Sequence, residues 1–145
     1  MTNLFRARWA ALVLGGAGLL PAAAQAAELG DFCWLTDTGR FLRLSVTQSG
    51  ASHYTYTGNF DDGDGVGYDI LGQASVVGSS IKGSFSGSLT TTGLFKTGIF
   101  HVTINPTTLA ATIEGIREVY VQGADPNTGV TTSYRTHTAS ATACP

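Results

Sequence analysis

The sequence predicts an all-β domain, an antiparallel up-and-down barrel of about eight strands closed by one terminal disulfide. Three observations carry this. From residue 27 onward apolar and small polar residues alternate, and no helical periodicity appears. Gly-, Asn- and Asp-rich turn signals interrupt the alternation at short intervals. The two cysteines, Cys33 and Cys144, stand at opposite ends of the domain. In an oxidising compartment such a pair reads as a disulfide, which makes the first and last strands neighbours.

The first run, 31–36 (DFCWLT), ends at the turn DTGR. In the second, 40–48, Leu42, Leu44 and Val46 alternate with Arg43, Ser45 and Thr47. The third, 52–60, places Tyr54, Tyr56 and Phe60 on one face, with His53, Thr55, Thr57 and Asn59 on the other. NFDDGDGVGYDI (59–70) links it to the fourth, 67–77, whose Tyr68, Ile70, Ala74 and Val76 share a face. The fifth, 80–89, alternates most cleanly, Ile81, Gly83, Phe85, Gly87 and Leu89 against serines and Lys82. The sixth spans 93–104 and stops at Asn105–Pro106. The seventh, 107–122, carries Leu109, Ala111, Ile113, Val119 and Val121 on one face, with Gly115 and Arg117 interposed. GADPNTG then leads to the eighth, 130–144.

Short links between consecutive runs imply antiparallel neighbours. With the first and eighth strands joined, the sheet closes and loses its exposed edges. A two-sheet sandwich is the competing arrangement.

Residues 1–26 read as a signal peptide, and 27–145 as a single barrel domain. Arg6 and Arg8 precede the apolar stretch 9–20, Pro21 breaks it, and Ala24 and Ala26 are the small residues before the cleavage point. The short Ala-rich leader implies a bacterial protein of the periplasm or the medium. The remaining chain has six basic side chains against ten acids, a net charge near −4. Without a basic cluster, neither nucleic acid nor an anionic membrane surface is an expected partner. An outer-membrane barrel shares the same alternation. Aromatics spread along the strands, with no terminal aromatic residue, argue against membrane insertion.

This outline of eight antiparallel strands, a leader and one disulfide resembles the calycin group, lipocalins and avidins, in architecture. FCW at 32–34 stands where lipocalins carry their first-strand Gly-x-Trp, with Phe32 in place of the glycine. With Cys33 opposite Cys144, Trp34 falls opposite about Ala143 and Arg135 near Leu42, so the family's Trp–Arg packing is not reproduced. No ligand residue is carried over from the resemblance. Bacterial barrels similar to plant allene oxide cyclases share the outline and imply an enzymatic alternative.

Asp61, Asp62, Asp64 and Asp69 form the dense carboxylate cluster. Counted as an EF-hand from Asp62, Asp64 fits position three, but Val66 takes the fifth and Gln73 the twelfth. A solvated hairpin loop is therefore the expectation, a millimolar calcium site its alternative. His53, His101 and His137 lack metal-ligand spacing and read as surface residues. No G-x-S-x-G and no phosphate-binding loop occur, so neither catalytic residues nor a cofactor are assigned.

Arg117 falls on the inward face, unless a bulge at Gly115 returns it to solvent. Facing inward, it would supply one cation to a pocket lined by Tyr54, Tyr56, Phe85 and Phe100, the composition of a small-molecule site. Lys96 offers the same charge nearer the rim. Inward glycines and small side chains leave room for a cavity. The expected function is an exported, non-catalytic barrel binding a small, mostly apolar ligand. The alternatives are an isomerase- or cyclase-type enzyme on the same barrel, or a structural barrel filled by its own side chains.

Overall fold

A computed structural model describes residues 26–91, 93–121, 123, 125 and 129–145. The leader, apart from Ala26, lies outside the described residues. Eight strands follow in chain order: β1 (Ala27–Thr36), β2 (Phe41–Gly50), β3 (His53–Phe60), β4 (Tyr68–Val77), β5 (Ser80–Thr91), β6 (Leu94–Ile104), β7 (Ala111–Val121) and β8 (Val130–Thr142). Each pairs antiparallel with the next, and β8 returns to β1, so the sheet is a closed barrel.

Two strand starts move by four residues, and the other boundaries by two at most. β1 starts at Ala27 rather than 31, because a register shift between Glu28 and Gly30 hides its alternation. β7 starts at Ala111 rather than 107. Asn105 Oδ1 accepts from the Thr107 and Thr108 amides, and Leu109 takes a positive φ of 58°, so this segment is a turn.

Period-two alternation sorts the side chains. Leu42, Leu44, Val46, Tyr54, Tyr56, Phe60, Ile70, Phe85, Phe100, Val102 and Ile113 belong to one inner core. Cross-strand partners face outward in alternate rows, as in Ser84–His101–Glu114–Thr136. Another outward row joins Leu71, Ser86, Ile99, Ile116 and Tyr134. It continues on β1–β3 as Asp31, Ser45 and Thr57, so the apolar stretch does not girdle the barrel.

The Cys33–Cys144 bond forms, with Cα atoms 5.1 Å apart. Its register differs from simple opposition. Cys33 pairs with Thr142, which puts Trp34 opposite Ala141 and Arg135 opposite Gly115. The bridge reaches diagonally, beyond the last ladder pair. Trp34 gives its indole Nε1–H to the Leu109 carbonyl at 2.8 Å, tying β1 to the β6–β7 turn.

Inward glycines do not leave open space. A Cβ on Gly72 would lie 2.7 Å from Tyr56 Cζ, on Gly98 3.1 Å from Phe100 Cζ, and on Gly115 2.7 Å from Phe100 Cα. Each glycine seats an aromatic side chain, and rings rather than a void take up the room.

Candidate functional site

Residues 61–67, between β3 and β4, cover the barrel mouth, with Asp62 buried beneath and 63–65 facing water. Asp61 organises the turn, its Oδ1 accepting from the amides of Gly63 (2.9 Å) and Gly65 (3.1 Å). Both glycines have positive φ, a conformation that costs other residues strain. Arg40 pairs with Asp61 from the β1–β2 turn at 3.7 Å.

The chain then delivers two carboxylates to two inward cations. Lys96 Nζ donates to Asp62 Oδ1 (3.0 Å), to both oxygens of Asp64 (2.7 and 2.8 Å) and to the Val66 carbonyl (2.7 Å). Arg117 Nη1 donates to Asp62 Oδ1 (3.3 Å) and Asp64 Oδ2 (3.0 Å). The Tyr68 hydroxyl donates to Asp62 Oδ2 at 3.1 Å, and Lys96 Nζ stands 4.2 Å from the Tyr68 ring centroid. The side chains of Lys96 and Asp62 are 0% exposed, Arg117 11% and Asp64 35%. Buried charges persist only when paired and hydrogen-bonded, and here two positive charges meet two negative ones.

This corrects the expectation of a solvated hairpin loop. Asp62 and Asp64 are counter-ions to charges that β6 and β7 direct inward, Asp62 wholly buried and Asp64 at the water boundary. The β7 register runs unbroken from Ala111 to Val121, so no bulge returns Arg117 to water. Asp61, Asp62 and Asp64 do bring ligand oxygens within 4.8 Å of one another. Lys96 Nζ bonds two of those carboxylates and a carbonyl, so an ammonium takes the position where a cation would collect them. Asp69 lies apart, exposed on β4 opposite Asn59.

Electrostatics follow the geometry. Burial works to raise the Asp64 pKa, but the hydrogen bonds from Lys96 and the Val66 amide, with the charges of Lys96 and Arg117, outweigh it. The net shift is downward. Burial, then the neighbouring Asp62 charge and its hydrogen bond, push the Tyr68 hydroxyl far up, so it remains a donor.

Below the ions lies an aromatic floor. Phe60 meets Phe85 edge-on at 5.5 Å and Phe100 at 5.1 Å, while Phe85 and Phe100 stack at 5.3 Å. His137, read from sequence as a surface residue, is buried instead. Its ring stands edge-on to Phe60 at 5.8 Å, with Nδ1 3.4 Å from Asp37. The period-two pattern of β8 could have shown this, since His137 shares its face with the buried Ala139.

All five residues proposed for the pocket are buried. Arg117, Phe85 and Phe100 belong to the plugged end. Tyr56 turns its hydroxyl to the Ser84 carbonyl at 3.0 Å, and burial raises its pKa. Tyr54 lies near the start of β3, at the other end from the loop.

Sequence reasoning missed a polar strip on the inner wall of β7 and β8. Arg117 Nε, Ser133 Oγ, Arg135 Nε and His137 Nε2 are buried and have no hydrogen-bond partner among the described residues. Arg117 pairs across with Ser133, Gly115 with Arg135 and Ile113 with His137, so the four share one face.

No family model matches this chain, and no curated protein matches it. The solved structures that align with it include two avidin-type proteins. Core-bradavidin is 18% identical over 76% of this chain and 99% of its own, at a TM-score of 0.48. Apo shwanavidin is 16% identical over 77% of this chain and 95% of its own, at 0.39. The strand order itself gives the architecture: eight antiparallel strands in sequence around a closed ring form a calycin-like barrel.

Proposed function

We propose that this chain is an exported, non-catalytic barrel that binds a small, mostly apolar ligand at its plugged end. The observation behind this reading is a strip of four buried atoms without a partner among the described residues, Arg117 Nε, Ser133 Oγ, Arg135 Nε and His137 Nε2, beside an aromatic floor. Buried polar groups without partners are rare in native proteins and ask for a ligand or a water. From Ser133 to His137 the strip covers about 13 Å of strand, the length of a small molecule. Phe60, Phe85 and Phe100 supply the apolar contact, and Arg117 the orienting group. Ligand entry requires loop 61–67 to move, because its acids close the mouth on Lys96 and Arg117, and the packed rings beneath to yield.

The disulfide fits an oxidising compartment, which agrees with export through residues 1–26. A mostly apolar inner core and an outer row interrupted by Asp31, Ser45 and Thr57 support a barrel outside the membrane. The isomerase reading gains nothing from the site, where Asp62 and Asp64 are committed to Lys96 and Arg117.

Titration with 1-octanol, followed by the ring resonances of Phe60, Phe85 and Phe100, tests the proposal. Saturable shifts in these rings are expected. Unmoved rings would instead favour a barrel filled by its own side chains, the reading that the glycine-seated aromatics support.

A further inference from the structure

We infer that Lys96 and Arg117 form an anion-binding site, and that Asp64 is an internal stand-in which a ligand's carboxylate displaces. The inference rests on the binding reading above and names the ligand's polar group.

The two loop acids are held differently. Asp62 is wholly buried and fixed by Lys96, Arg117 and the Tyr68 hydroxyl. Asp64 lies at the water boundary, 35% exposed, and reaches the barrel wall through Lys96 and Arg117; its other bond, from the Val66 amide, lies within the loop. Its contacts are those of a generic carboxylate: two oxygens on an ammonium and one on a guanidinium. Arg117 Nε adds a buried donor that neither acid satisfies. A carboxylate in the place of Asp64 would take Nη1, and the forks that arginine favours pair Nη2 with Nη1 or with Nε.

Charge balance makes the process an exchange. With Asp62 retained, a ligand carboxylate replacing Asp64 leaves two cations facing two anions. Adding one without displacement would leave an uncompensated negative charge beside the core. The backbone permits the movement. Asp61 N is bonded to the Phe41 carbonyl, but among the described residues no backbone-to-backbone hydrogen bond ties 62–67 to the wall. Gly63 and Gly65, at φ 109° and 84°, flank Asp64. Release of Asp64 also frees Val66 from Lys96 and uncovers the aromatic floor, so the acid group and the apolar tail enter by one motion.

Octanoate and 1-octanol, equal in chain length, separate the two ideas. Octanoate is expected to bind at least tenfold more tightly than octanol and to move the Asp64 side-chain carboxyl 13C resonance. Asp64→Asn, which removes the competing charge and loosens the loop for either probe, should tighten octanoate at least tenfold more than it tightens octanol. Equal affinities, with Asp64 unperturbed, would overturn the exchange while leaving interior binding intact. Binding of neither probe would overturn both readings. The carboxyl resonance is read on the unmodified protein, so the test stands even if the variant fails to fold.

Discussion

Lys96 is an ammonium without solvent exposure, and its neighbours must neutralise it. Lys96→Met would leave Asp62 and Asp64 facing Arg117 alone. It should cost about 3–5 kcal/mol in urea unfolding, the usual penalty for breaking a buried ion pair. Period two in β6 and β7 made Arg117 and Lys96 legible as candidate inward cations, with a bulge at Gly115 the competing reading for Arg117. Their counter-ions were not legible, because an Asp-Gly-rich loop has the same composition whether it faces water or folds inward. Acid should loosen the plug. The folded pKa of Asp64 is lowered, so its contribution is complete above the unfolded value and disappears as pH falls through the folded one. Stability should therefore decline below about pH 4, with a shallower slope in Asp64→Asn. Asp31, lowered by its hydrogen bonds from Ser45 and Arg43, would supply part of the remaining slope.

Among the elements, β6 and β7 show how this barrel makes room for rings. Gly98 and Gly115 accommodate Phe100, and Gly72 accommodates Tyr56. A methyl group at Gly115 would overlap the Ile99 carbonyl, and backbone cannot rotate away as a side chain can. Gly115→Ala should thus cost about 3 kcal/mol or more, at or above the top of the usual overpacking range. Its melting temperature would reveal the loss, whereas an alanine at the exposed Ser86 should change little. Inward glycines were visible in the alternation of β5, but their meaning was not. Small residues signal a cavity or a close approach equally well, and only the neighbouring strand's ring distinguishes them. The β6–β7 turn misled for a related reason. Leu109 preserves the apolar spacing of β7 while its positive φ takes it out of the ladder. Trp34→Phe, which strands the Leu109 carbonyl, should cost about 1–3 kcal/mol in the same unfolding assay.

For the whole molecule, the order of strands could be read from the chain because each link is short and each strand pairs with its sequence neighbour. Closure was legible only through the cysteines. The bridge spans 111 residues, and the chain-entropy model allows it roughly 4–5 kcal/mol. Reduction, or Cys33→Ser with Cys144→Ser, should lower the melting temperature markedly in calorimetry.

The bridge also stands beside the shortest seam in the ring. β1 and β8 pair only from Cys33 with Thr142 to Thr36 with Ala139, whereas β5 and β6 pair along the whole length from Ile81 to Thr91. If that joint parted, a molecule without free edges would become a curved ribbon with two, each able to recruit a strand from another copy. The covalent tie thus acts as a guard against self-association as well as a source of stability. Amide hydrogen exchange should report it, as faster exchange along β1 and β8 than along β5 and β6 once the sulfurs are reduced.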